Sequence, residues 1–170
     1  MNHRHIINQL DANRTAFRGL LSVSDPAEIT WRPAEKKWCL REIACHLLDE
    51  ELEDFRARLK HTLETPEQPL PPIDPEGWVT SRKYMEHDFD KAVIDFLSER
   101  EQSVAWLRSL HNPAWKNAHP HPKFGPLSAE MFLANWLAHD YLHIRQIIRL
   151  RYHYLEHAAS EVKLRYAGKW

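Results

Sequence analysis

Glycine is scarce in this 170-residue chain, occurring only at Gly19, Gly77, Gly125 and Gly168. Phosphate-cradling loops need several glycines close together, so P-loop and dinucleotide fingerprints are excluded. Cysteine is scarcer still. Cys39 and Cys45 lie in a helical-looking stretch, where they would stand about 9 Å apart along the axis and on different faces, too far for a disulfide. They form no C-x-x-C motif, and the expectation is two small core thiols in a reduced, cytoplasmic protein. No run of 18 apolar residues exists, which argues against a transmembrane helix, and the opening Met1-Asn2-His3-Arg4-His5 has no apolar signal block. Neither sign of charge is in excess: Lys and Arg number 23 against 24 Asp and Glu, a net charge of -1. That balance leaves no electrostatic footprint for nucleic acid or an anionic membrane, so neither is expected as a partner.

Histidine, by contrast, occurs twelve times. It is the commonest metal ligand and the side chain that titrates nearest neutrality. Which of the twelve matter depends on where the helices place them.

Sustained strand alternation is missing, and four segments carry helical periodicity. The first runs from about His5 to Leu21, with Ile6, Leu10, Phe17 and Leu21 at helical spacing. The second runs from about Leu40 to Leu63, where Leu40, Ile43, Leu47, Phe55 and Leu59 mark one broad apolar face. The third runs from about Asp88 to Leu110. The fourth opens after Ser128, a plausible N-cap, and reaches Tyr154 or beyond. Between the second and third, five prolines fall within residues 65–75, which no helix interior tolerates. The fold class expected is all-α: a four-helix bundle. The proline-rich crossover is long enough to span the bundle and let helices two and three run parallel, which favours up-down-down-up topology.

Three histidines stand at apolar positions. His46 sits among Ile43, Leu47 and Leu48; His139 and His143 are four apart and share one helical face with Trp136, Gln146 and Leu150. Taken alone, His46 reads as a core histidine with a hydrogen-bond partner. Several buried imidazoles without partners would be costly, and a shared metal removes that cost. Three protein ligands leave one position for water or substrate, the pattern of catalytic rather than structural sites. Spacing alone does not bring the three together.

The other histidines read as incidental. His153 and His157 are also four apart but lie among Arg151, Glu156 and Glu161, and are expected in solvent. His139-Asp140-Tyr141-Leu142-His143 is a poor variant of the H-E-x-x-H protease pattern, even with Glu161 as a third ligand, because Asp is one methylene short and no sheet is apparent. His119 and His121 belong to a rigid, proline-set loop. Asp49 and Glu50, one turn from His46, could serve as a base or orient a ligand, or simply face water. Arg100 and Arg145 could hold an anionic substrate but read as surface residues. Trp38, Trp106 and Trp136 are expected in the core. No catalytic residue is assigned at this level.

Several motifs together resemble the DinB-like (damage-inducible B) superfamily. They are Trp38 followed by Glu42-Ile43-Ala44-Cys45-His46-Leu47, the segment from Gly77-Trp78 to Arg100, His121-Pro122-Lys123-Phe124-Gly125-Pro126, and His139-Asp140-Tyr141-Leu142-His143-Ile144-Arg145-Gln146-Ile147. The resemblance covers about residues 5–150. It implies an up-down-down-up four-helix bundle, often a homodimer; the domain is read as residues 1–152, with 153–170, outside the resemblance, as a C-terminal extension of the same domain that could add a helix or a dimer contact. It also implies a divalent metal, commonly nickel or zinc, on His46, His139 and His143. Related members include transferases that use a low-molecular-weight thiol, so the expectation is a thiol transferase or hydrolase acting on a small-molecule electrophile. A non-catalytic metal-binding or stress-response protein is the alternative, and a bundle whose histidines only form hydrogen bonds is a third.

Overall fold

The structure, a computed structural model, describes residues 1–121 and 123–168; Pro122 of the 121–126 motif and Lys169 and Trp170 of the tail lie outside them. Four long helical rods build it. The first is α1 (His3–Leu20). A short α2 (Pro26–Thr30) follows. The second rod joins α3 (Leu40–Asp49), a π-helical turn (Glu50–Phe55) and α4 (Arg56–Glu64). After the crossover, with its short α5 (Pro75–Ser81), come the third rod, α6 (Phe89–Ser109), and the fourth, α7 (Ala129–Ala158). Side-chain caps mark the starts: Asp88 accepts from the Lys91 amide at 2.7 Å and Ser128 from the Met131 amide at 3.2 Å. Each cap supplies a partner for a backbone donor that the helix itself leaves free.

The direction of each rod follows from its contacts. Arg108 reaches Asp11, and Phe17 packs edge-on against Phe96, so α1 and α6 are antiparallel. Asn13 meets Asp140, and Arg151 meets the Leu20 carbonyl, so α1 and α7 are parallel. Glu51 binds Arg100, and Arg56 binds Ser103, so the second and third rods are parallel. This is the expected up-down-down-up bundle. The crossover runs back along the second rod: Pro71 takes a hydrogen bond from Arg58, Arg82 pairs with Glu53 and Asp49, and the Met85 carbonyl accepts from Arg41.

The apolar core is divided. One cluster holds Phe17, Leu40, Ile43, Leu47, Phe96 and Ile147. The other holds Leu10, Phe55, Leu59, Val104, Leu133 and Trp136. Between them each long rod contributes a buried polar residue: Asn13, Glu51, Arg100 and Asp140. Arg100, expected at the surface, is 1% exposed. Its Nε donates to both Glu51 carboxylate oxygens at 3.0 Å, and its two terminal nitrogens donate to Asp140 at 2.7 and 2.8 Å. The Trp136 indole and the Asn13 amide complete the network, at 3.0 Å to Glu51 and to Asp140 respectively. Burial alone would lower the Arg100 guanidinium, but Glu51 and Asp140 outweigh it and hold it above its ordinary range.

Other details differ from the sequence reading. The loop of His119 and His121 is partly a small antiparallel hairpin, β1 (Ala118–His121) and β2 (Gly125–Ser128), with Gly125 taking the positive φ of +73° where the turn closes. Trp136 is core as expected, whereas Trp38 and Trp106 are only half-buried. α7 continues past residue 153 without a break. No described helix is long and apolar enough to cross a membrane.

Candidate metal centre

The second rod and α7 lie antiparallel, and their facing surfaces bring His46, His139 and His143 together. One ring nitrogen from each falls within 4.8 Å of the others. His139 Nε2 stands 3.4 Å from His46 Nε2 and 3.0 Å from His143 Nε2. Two nitrogens bound to one tetrahedral metal at about 2.0–2.1 Å would stand about 3.3 Å apart, so the spacing suits a shared cation.

Donor chemistry points the same way. Burial lowers all three imidazoles: His46 to about 3, with His143 adding to the effect; His139 to about 2, with His143 and His46 adding; His143 to about 4, with Gln146 and Asp140 opposing. Each ring is therefore neutral near pH 7 and offers a lone pair. Buried polar atoms without a protein partner also collect here: His46 Nδ1, His143 Nδ1 and Glu50 Oε1. The two Nδ1 atoms lie across their rings from the converging Nε2 atoms, so the fit to a cation rests on the Nε2 spacing and the neutral donors. The residues present fit a divalent cation.

Aromatic walls shield the group. The Trp38 ring lies 4.8 Å from His46 and stacks parallel to His143 at 6.5 Å. Phe55 closes the other side, 5.0 Å from His139.

Glu50 is the nearest carboxyl, its Oε2 lying 3.9 Å from His139 Nε2. Burial, reinforced by Asp54, pushes its carboxyl up to about 8. It opens the π-helical turn; such turns are rare and recur at functional sites. Asp49 is engaged elsewhere, accepting from the Tyr84 hydroxyl at 2.5 Å and pairing with Arg82 at 2.9 Å. Of the two carboxyls read from the sequence, only Glu50 reaches the centre.

A sequence profile decides the family: that of the DinB superfamily matches residues 9–147. The chain belongs to the DinB superfamily. Its fold is also that of a solved structure, YfiT from Bacillus subtilis, described as a probable metal-dependent hydrolase with an unusual four-helix bundle topology. The two share 19% sequence identity with a TM-score of 0.76, over 87% of this chain and 85% of that one. No curated protein matches this chain.

Within this DinB bundle the remaining candidates stay apart from the centre. His153 pairs with Glu156 at 2.9 Å, and His157 stacks on Trp31. Glu161 is exposed and stands outside the histidine group, which removes the protease-like ligand set. His119 bonds the Pro66 carbonyl, and His121 accepts from the Lys123 and Phe124 amides. Arg145 is exposed.

The sequence reading missed the Glu51–Arg100–Asp140 network, although a signal was present. Arg100 follows Phe96 and precedes Val104 by one turn each; Glu51 stands likewise between Leu47 and Phe55, and Asp140 between Trp136 and Ile144. Three charges on three apolar stripes are better read as partners than as three surface residues.

Proposed function

We propose that His46, His139 and His143 hold a divalent metal, with nickel or zinc as first candidates, and that the chain is a metal-dependent enzyme acting on a small-molecule electrophile. The observation that carries this reading is the convergence of three neutral ring nitrogens at metal-ligand spacing. The description of YfiT as a probable metal-dependent hydrolase favours hydrolysis as the first reaction to test, with transfer of a low-molecular-weight thiol as the second. A bound divalent cation would supply Lewis acidity and lower the pKa of a coordinated water or thiol.

The protein's own groups then divide the work. Three histidines from two rods leave a fourth direction open to a reactant. Trp38 and Phe55 restrict water around the rings, which strengthens electrostatic interactions there. Glu50, buried and 3.9 Å from His139, is placed to exchange a proton with a reactant held at the centre. Asp49 anchors the crossover through Tyr84 and Arg82.

The reading extends to a single domain over residues 1–152 with 153–170 as its extension, and to a cytoplasmic homodimer. Tyr141, Ile148 and Leu155 support the dimer: they lie seven residues apart along α7 and are large apolar side chains left exposed.

The test is metal analysis of protein purified without a metal-affinity tag, beside His139→Ala. About one equivalent per chain in the parent, lost in the variant, supports the site. No metal in either, and no thermal shift on adding zinc or nickel, overturns it. Loaded protein is then assayed against esters, amides and thiol–electrophile pairs. Bound metal without turnover of any of them would leave the non-catalytic metal-binding reading.

A further inference from the structure

A cleft of about 290 Å³ borders Trp38, walled by Pro33, Lys37, Trp38, Gln146, Arg149 and His153. That size is near the lower end of small-molecule sites. Its position ties it to the centre. Trp38 forms its wall and packs on His46 and His143, and Gln146 lies one turn beyond His143 on the same line of α7. A second groove, lined by Leu142, Arg145, Gln146 and Arg149, continues it along α7.

The charges of this region are unbalanced. Nearby arginines are matched: Arg32 grips Glu42 at 2.6 and 2.9 Å, and Arg151 binds Glu28 at 3.1 Å. Lys37, Arg145 and Arg149 have no carboxylate partner among the described residues. Arg149 instead turns its Nε to His153, 3.4 Å away. Lys37 lines the cleft, and its backbone carbonyl accepts from Arg32 at 3.0 Å. Glu156 reaches this rim only through His153, 2.9 Å away, so Lys37, Arg145 and Arg149, in a chain whose charges otherwise nearly cancel, leave a local positive field that attracts anions.

We infer that this cleft is the anchoring subsite for the anionic group of a small substrate, a carboxylate or a phosphate, with Lys37 and Arg149 as its counter-charges and Gln146 as a neutral hydrogen-bonding partner. The inference rests on the metal-dependent reading for its role in a reaction, but the binding itself does not require a metal. Arg149 offers a planar fork suited to an oxyanion, and Lys37 a point charge from the opposite wall. Trp38 borders the cleft and packs on His46 and His143, so a molecule anchored there would stand one side chain away from the three histidines.

The test is calorimetric titration at low salt, with succinate as the carboxylate probe and inorganic phosphate as the other. It compares the full chain, Lys37→Ala/Arg149→Ala, the charge-keeping Lys37→Arg/Arg149→Lys, and a control with two distant surface charges removed, Arg4→Ala/Lys60→Ala. The expected result is saturable binding of at least one probe, weakened by about tenfold or more in the alanine pair and retained in the other two proteins. Succinate alone binding identifies a carboxylate; phosphate alone identifies a phosphate. Undiminished affinity in the alanine pair, equal loss in the control, or no saturable binding of either probe overturns the proposal. Metal content is measured on the same samples. Binding that depends on Lys37 and Arg149 in a protein that takes up no metal keeps the cleft and rejects the metal reading; metal uptake without anion binding does the reverse.

Discussion

Arg100 holds both carboxylate oxygens of Asp140, at 2.7 and 2.8 Å, in the residue next to His139. The same guanidinium binds Glu51, the neighbour of Glu50. One buried cation thus fixes the register between the two rods that carry all three histidines. Arg100→Met leaves two buried carboxylates unpaired and is expected to destabilise the protein by about 3–5 kcal/mol. Adding Glu51→Gln and Asp140→Asn should recover part of that loss. Chemical denaturation measures both, and metal affinity should weaken in all of these variants while His46, His139 and His143 remain.

Metal should raise the thermal stability of the parent chain, because a ligand that binds only the folded state stabilises it by mass action. A free-metal concentration 100-fold above Kd gives about 2.7 kcal/mol. His46→Ala, His139→Ala and His143→Ala should each abolish most of that gain. A full shift in any of them removes that residue from the ligand set.

The metal-free protein should have a bell-shaped dependence of stability on pH. The three imidazoles fall from 6.5 to about 3, 2 and 4 on folding. Below pH 6.5 the unfolded chain therefore takes up protons that the folded chain refuses, and stability drops as pH falls through that window. Glu50 works in the opposite sense, its pKa raised from 4.5 to about 8. Its contribution is fully present below 4.5 and is lost as pH rises through 8. Between 4.5 and 6.5 the three histidines outweigh Glu50 and its neighbour Asp54, whose carboxyl burial also raises, so stability still rises with pH; above 6.5 only the carboxyl losses remain. Denaturation midpoints across pH 4 to 9, with chelator present, should peak near pH 6.5. A His139→Ala/His143→Ala chain should lose much of the acid-side slope.

Glu50 and Asp49 should separate cleanly on substitution. Under the hydrolase reading, Glu50→Gln lowers kcat by about 10²- to 10⁴-fold with little loss of metal. Asp49→Asn weakens the hold on Tyr84 and Arg82 and costs about 1–3 kcal/mol of stability, with kcat nearly unchanged. Steady-state kinetics with a working substrate, beside thermal denaturation, distinguishes them.

If Tyr141, Ile148 and Leu155 form the seam of a homodimer, Ile148→Glu should yield a folded monomer. Light scattering on the parent and the variant checks this; a monomeric parent rejects the dimer.

The four rods were legible because their stripes are long: Trp136, His139, His143, Gln146 and Leu150 align on α7 whatever their partners. The histidine positions were legible for the same reason, since His46 sits among Ile43, Leu47 and Leu48. The π-helical turn was not. Glu50 to Phe55 reads Glu-Glu-Leu-Glu-Asp-Phe, an ordinary helical sequence, and its extra residue per turn is set by packing against α6 and α7. Arg100 was misread because a charge in isolation resembles a surface residue, and its partners lie 49 and 40 residues away. The hairpin was hidden by His119-Pro120-His121, since proline argues against strand and is tolerated here only in a two-stranded ribbon.

The antiparallel meeting of the second rod with α7 has a temporal consequence. His46 and His139 are separated by 93 positions, with the crossover and all of α6 between them. During synthesis the first histidine emerges long before its companions, and the pocket cannot exist until α7 docks. A nascent or truncated chain ending before residue 129 carries one imidazole of the three and should compete poorly for metal. Metal capture then becomes a report that the bundle has closed, and a cation arriving at that moment would fasten the last helix onto the older half of the chain.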